Sequence, residues 1–186
     1  MIGYAFCGSF CTLSASLAEM KKLCARGYDL QPILSENVYK TDTRFWEAKA
    51  FRQEVEMACG RPVIHTVVDA EPLGPKTPLD FLIISPCTGN TLAKLAHGIT
   101  DTPVTMAAKA HLRTERPLLI ALASNDAMTA NLANLAALSM RKGVYFVPLR
   151  QDDPKNKPAS LVADFTRIEE AFTAAREGRQ LRPLFI

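Results

Sequence analysis

Leu79-Asp80-Phe81-Leu82-Ile83-Ile84 is an apolar run that ends in Ser85-Pro86-Cys87-Thr88-Gly89 and passes straight into Asn90-Thr91-Leu92-Ala93-Lys94-Leu95-Ala96-His97-Gly98-Ile99-Thr100-Asp101. The pattern predicts a buried strand over 79–84, broken at Pro86, and a helix that opens at Asn90-Thr91. The turn between them carries small and hydroxyl-bearing side chains. A helix N-terminus has unpaired N–H groups and a partial positive charge, so it attracts phosphate. Small residues at that point let an anion approach the backbone. The stretch reads as strand, phosphate-binding turn and helix, the repeating unit of an open α/β sheet.

The same alternation continues in both directions. Apolar runs predict further strands over 2–7, 30–34, 62–65, 117–123 and 144–147. Helices are expected over 12–26, where Leu13, Leu17, Met20 and Leu23 share one side, and over 44–59, ended by Gly60. Asp101-Thr102-Pro103 is a fresh helix start, with a capping side chain and a proline in the first turn. Two more helices are expected over 127–142, stopped by Gly143, and over 161–176. Segments 67–78 and 148–158, rich in proline and polar residues, read as irregular loops. About six strands with intervening helices predict a three-layer, doubly wound, Rossmann-like parallel sheet with its ligand at the carboxyl ends of the strands. No repeat or linker divides the chain, so one α/β domain is expected over 1–186.

Composition narrows the function. A net charge of +3 without any Lys/Arg stripe argues against nucleic acid as a partner. No apolar stretch approaches the roughly 20 residues needed to span a bilayer, and Met1-Ile2-Gly3-Tyr4 leads into a strand without a charged leader, so no membrane and a cytoplasmic setting are expected. The five cysteines form no CxxC pair and the three histidines are dispersed, so no metal site is expected.

In a doubly wound sheet the loops after strands one, two, four and five of this reading gather at one edge. Here they are Gly8-Ser9-Phe10, Ser35-Glu36-Asn37, Pro86-Cys87-Thr88-Gly89-Asn90-Thr91 and Ala123-Ser124-Asn125-Asp126. All are rich in small or hydrogen-bonding residues, which suits a ligand with several acceptor oxygens. The first loop lacks GxGxxG spacing, which favours one phosphate shared between loops over a dinucleotide pyrophosphate on the first helix.

Pro86-x-Thr88-x-Asn90-Thr91-x-x-Lys94-x-Ala96-x-Gly98-x-x-Asp101 resembles the flavin-binding signature of the homo-oligomeric flavin-containing cysteine decarboxylases, a flavoprotein family that includes phosphopantothenoylcysteine decarboxylase and the prenyl-FMN-forming enzymes. Ala123-x-Asn125-x-x-Met128 resembles the family's Ala-Met-Asn-x-x-Met motif, with Leu122 where the family has proline. The resemblance implies FMN, with Gly8, Ser9 and Ser35 at its phosphate, Thr88, Gly89, Asn90 and Thr91 near the phosphate and ribityl chain, and Ser124, Asn125 and Met128 on the ring or substrate side. The hydroxyls, amides and helix N-termini agree physically, but by themselves they suit other phosphate ligands equally. A homo-oligomer with the flavin at an interface between copies is also implied. His65 lies further ahead of Pro86 than the family's catalytic histidine lies ahead of its motif proline, a departure from the family's spacing.

Further stretches, among them Ala70-Glu71-Pro72-Leu73-Gly74-Pro75, Ala107-Ala108-Lys109-Ala110-His111-Leu112-Arg113 and Gln151-Asp152-Asp153-Pro154, resemble one branch of that family. In spore-forming bacteria this branch forms pyridine-2,6-dicarboxylate from a tetrahydrodipicolinate-type precursor, together with a second polypeptide. That polypeptide resembles a nicotinamide-dependent dehydrogenase, so NAD(P) is expected only on it, and the mother cell is the implied location. Forming the aromatic ring removes two electrons, and a dicarboxylate substrate calls for cationic contacts. Lys109 and Arg113, four residues apart on one helix face, are the substrate-binding candidates; Arg150, Lys155 and Lys157 are alternatives. Asn125, His111 and His65 are the catalytic candidates, with Asp126 a further candidate for a base.

Overall fold

In the computed structural model, which describes residues 1–74 and 76–186, parallel strands β1 (Ile2–Phe6), β2 (Leu30–Leu34), β3 (Phe81–Cys87), β4 (Leu118–Ser124) and β5 (Val144–Phe146) make the centre of the sheet. They run β2-β1-β3-β4, with β5 beside the first half of β4. Every residue of β1, β2, β3 and β4 is buried, so both faces are covered and apolar residues dominate the strands.

Helices α1 (Leu13–Ala25), α3 (Ala48–Cys59) and α8 (Ile168–Arg176) cover one face; α4 (Val67–Ala70), α5 (Gly89–His97), α6 (Pro103–Leu112) and α7 (Leu132–Ser139) cover the other. The short α2 (Glu36–Lys40) follows β2 directly. Phe172 of α8 sets its ring edge-on to Phe81 at 4.8 Å and to Tyr28 at 5.4 Å, which seats that helix on the amino end of β3. From β1 the chain moves outward to β2 on one side, and β3 then lies on the other. The switch point of this order therefore falls between β1 and β3, where an α/β sheet opens a crevice.

Several expectations need correction. The sheet is not wholly parallel: β6 (Leu149–Arg150) and β7 (Leu161–Ala163) are antiparallel, and β7 pairs with Ala123 and Ser124 at the end of β4. The expected helix over 161–176 thus begins as a strand, because Leu161 and Ala163 are buried in the core and the backbone finds partners on both sides. Asp164 then caps a short 3-10 turn before α8. The 62–65 run contributes a single bridge, Ile64 to Ile33; Pro62 has no N–H to extend it.

The strand expected over 79–84 runs instead from Phe81 to Cys87, passing Pro86 through a register shift against β4. The helix after it starts at Gly89, with Thr88 as its cap, rather than at Asn90. The helices expected over 44–59 and 127–142 are shorter, since the Thr43 and Asp126 side chains organise turns ahead of α3 and α7. The 67–78 segment contains α4, capped by Thr66; its Pro75 lies outside the described residues.

Candidate functional site

The loops at the carboxyl edge are tied to one another by specific contacts. Cys7 donates its N–H to the Pro86 carbonyl at 3.1 Å, and the Thr91 hydroxyl reaches the Cys7 sulfur at 3.3 Å, so the loops after β1 and β3 are held together across the switch point. Ser35 donates its N–H to the Phe6 carbonyl at 2.9 Å and caps α2 with its side chain. A buried chain of hydroxyls, Tyr4 to Ser16 and Ser16 to Ser85, anchors α1 to β3 just below the turn. Burial pushes the Cys7 thiol up to about 11, so it is a neutral filler and not a nucleophile.

The turn into α5 is shaped around its backbone. Thr88 accepts the N–H of Thr91 on its hydroxyl at 3.2 Å and that of Leu92 on its carbonyl at 2.9 Å. Of the four orphan donors of a helix start, this leaves the N–H groups of Gly89 and Asn90 without an acceptor among the described residues. Asn90 itself is exposed. Gly89 is forced by packing: a Cβ there would stand 2.4 Å from Ser124 Oγ, 2.6 Å from Asn131 Nδ2 and 2.8 Å from Asp126 Oδ1.

That polar cluster shapes the loop after β4. The Ser124 hydroxyl donates to Asp126, and the Asn131 amide donates to both of its carboxylate oxygens at 3.0 Å. The Ser124 hydroxyl first, and Asn131 with it, hold the Asp126 carboxyl below the usual carboxylate range, so it is an engaged structural anion and a poor base. Past it, Met128 donates its N–H to the Ala159 carbonyl at 2.9 Å, and Gln151 reaches both Met128 Sδ at 3.6 Å and the Pro158 carbonyl at 2.9 Å. The segment from 151 to 160 therefore straps over this end of the crevice. Its Lys157 is paired with Asp152 at 3.0 Å and lies near Cys11, which follows the first loop.

A family model described as "Flavoprotein" matches residues 5–171. The chain belongs to the flavoprotein family. It is 40% identical to the B subunit of dipicolinate synthase of Bacillus subtilis (strain 168), over all of this chain and 92% of that protein. The crystal structure of the corresponding B subunit of dipicolinate synthase from Bacillus halodurans C superposes with a TM-score of 0.91 at 39% identity, covering all of this chain and 95% of that one. An FMN-dependent cysteine decarboxylase, SpaF, matches with a TM-score of 0.66 at 25% identity over 94% of this chain and 95% of its own. Among the described residues no helix is long and apolar enough to cross a membrane.

Within this flavoprotein chain Gly8, Ser9, Ser35, Thr88, Gly89, Asn90, Thr91, Ser124, Asn125 and Met128 all lie on the loops of one edge, with Asn90, Asn125 and Met128 exposed. His65 is also near this edge, just past the Ile64 bridge, where its ring stacks on Tyr39 at 3.7 Å while Arg52 sits 4.2 Å from the Tyr39 ring. His111 lies elsewhere. It is fully buried beside the start of β4, with Nε2 2.8 Å from the Pro117 carbonyl and Nδ1 unpartnered. Since a carbonyl only accepts, Nε2 carries the proton, and burial lowers the pKa of the ring.

Lys109 and Arg113 are likewise remote. They line a cavity with Gly98, the C-cap of α5, whereas the candidate cradle is at the N-terminus of that helix. At about 1.5 Å per residue a helix of this length separates the two by roughly 13 Å. Sequence reasoning missed Asn131, Ser16 and Tyr39. Asn131 carried a signal, because an amide five residues after an Asp at a strand end can close a turn, but it was absorbed into the expected helix.

Proposed function

We propose that this chain is the B subunit of dipicolinate synthase. In this reading it is an FMN-binding, cytoplasmic, homo-oligomeric protein of a sporulating mother cell. It works with the A subunit, the NAD(P)-dependent partner, in forming pyridine-2,6-dicarboxylate from a tetrahydrodipicolinate-type precursor. The observation that carries it is the full-length likeness to the Bacillus proteins, at 40% identity in sequence and a TM-score of 0.91 in structure.

The edge loops fit a flavin mononucleotide in kind and number. The free N–H groups of Gly89 and Asn90, with the hydroxyl of Ser9 and the α5 N-terminus, suit a phosphate dianion. Asn90, Asn125 and Met128 are exposed on the same edge, where they suit the ribityl chain and the ring. When bound, the flavin would accept the two electrons released as the substrate ring becomes aromatic. The chain's own part is to bind and orient: the Ser124–Asp126–Asn131 cluster fixes the loop that presents Asn125, and the 151–160 strap restricts water at that end.

A second reading, of a chain that chiefly supports its dehydrogenase-like partner, draws on the engagement of Asp126 by Ser124 and Asn131, which makes that carboxylate a poor base. Titration of the purified chain with FMN, followed by absorbance and flavin fluorescence, separates the readings. Saturable binding that weakens strongly in Asn90→Ala is expected. A wild-type chain that binds no FMN, alone or with that partner, would leave only the supporting role.

A further inference from the structure

The carboxyl-edge crevice is not the chain's only concave polar feature. On the helical face made by α5, α6 and α7, a cavity of about 240 Å³ opens where the C-terminal ends of these helices converge. Leu95, Ile99 and Leu112 give it apolar walls. Lys109, Arg113 and Arg141 stand around it with no carboxylate partner among the described residues, and no acidic residue lines it. Lys94, at the same site, is already neutralised by Asp101 at 2.8 Å.

Cations at helix C-termini have an ordinary explanation, since they complement the helix dipoles. Magnitudes decide whether that explanation is enough. Lys109, Arg113 and Arg141 bring three positive charges. The C-termini of α5, α6 and α7 oppose them with about half an elementary charge each, which leaves roughly one and a half positive charges facing a cavity with apolar walls. An inorganic anion would balance the charge and waste the walls. A small ring bearing two carboxylates satisfies both, with the guanidinium groups of Arg113 and Arg141 able to grip carboxylates in a planar fork.

We propose that this cavity is a second binding site, separate from the flavin crevice, for a small cyclic dicarboxylate. Pyridine-2,6-dicarboxylate, the product in the function proposed above, belongs to that class; only the choice of this particular dianion rests on that reading. The site assigns Lys109 and Arg113 to a dicarboxylate, as their spacing suggests, but places it one helix length from the flavin crevice.

The test is calorimetric titration of the full chain, first saturated with FMN, using pyridine-2,6-dicarboxylate, benzene-1,3-dicarboxylate and the monoanion benzoate as probes. The expected result is saturable binding of at least one dicarboxylate, stronger than that of benzoate. Binding should weaken about tenfold or more in Arg113→Gln/Arg141→Gln, while FMN affinity is unchanged. Binding of the benzene compound alone would keep the site and count against the proposed product. Three results would overturn the proposal: no saturable binding of either dicarboxylate, equal affinity in the double variant, or release of the bound FMN as the dicarboxylate is added. A protein that binds a dicarboxylate but not FMN would keep this site and remove the flavin reading.

Discussion

Gly89 concentrates the logic of the crevice in one residue. It has no left-handed conformation to explain it; what excludes a side chain is the wall of Ser124, Asp126 and Asn131 within 2.8 Å of where a Cβ would be. Gly89→Ala must therefore push the start of α5 off the end of β4 or break the clamp on Asp126. Overpacking of this kind typically costs about 1–3 kcal/mol, and urea denaturation should record a loss in that range, together with weaker FMN binding. His111 supports a different prediction. Its folded pKa lies below the ordinary value because the ring is buried, whereas the unfolded ring takes a proton near 6.5. The unfolded state thus binds more protons in that range, so the stability contribution is complete above about 6.5 and is lost as pH falls through and below that value. His111→Gln should flatten the decline in melting temperature between about pH 7 and 5 relative to wild type. An equal decline in both proteins would remove His111 from the account.

At the scale of elements, legibility followed the strength of periodicity. The buried parallel strands and the start of α6 at Thr102 were readable because each carries a local signal: an apolar run, or a capping hydroxyl followed by a proline in the first turn. The edge loops were readable for the same reason, since Gly, Ser, Thr and Asn cluster at strand ends. β7 was not, because Leu161-Val162-Ala163 is as compatible with a helical stripe as with a strand and only its distant partners in β4 and β6 decide. Nor was the far position of Lys109 and Arg113, because sequence spacing gives a shared helix face but not which end of the sheet that face meets. The short β7 also has a testable consequence. Val162 is paired on both sides, to Ala123 next to the Ser124 loop and to Arg150 ahead of the 151–160 strap. Val162→Pro lacks the N–H and distorts the pairing. Limited proteolysis should then cut within 151–160 more readily, while far-UV circular dichroism keeps its wild-type shape. Unchanged cleavage would mean that Met128 and Gln151, not β7, hold the strap.

For the whole molecule, cofactor binding and stability are linked, because the crevice exists only when separate parts of the chain are assembled. Loops after β1, β2, β3 and β4 meet there through bonds such as Cys7 to Pro86 and Met128 to Ala159, and an unfolded chain has no equivalent surface. A ligand that binds only the folded state adds about 2.7 kcal/mol at a free concentration of 100 times its Kd. For a chain of 186 residues each kcal/mol moves the melting temperature by about 2–4 °C. FMN at that concentration should therefore raise it by roughly 5–10 °C, and the rise should follow the logarithm of FMN concentration. Asn90→Ala should shift the curve to higher FMN with little change in the ligand-free melting temperature, because Asn90 is exposed and Thr88 alone caps α5. If the variant instead melts well below wild type without ligand, Asn90 supports the fold and its loss of binding says nothing about contact with the flavin. Equal rises in both proteins would mean that the Asn90 side chain makes no contact with the bound flavin, while the fold and the family would stand.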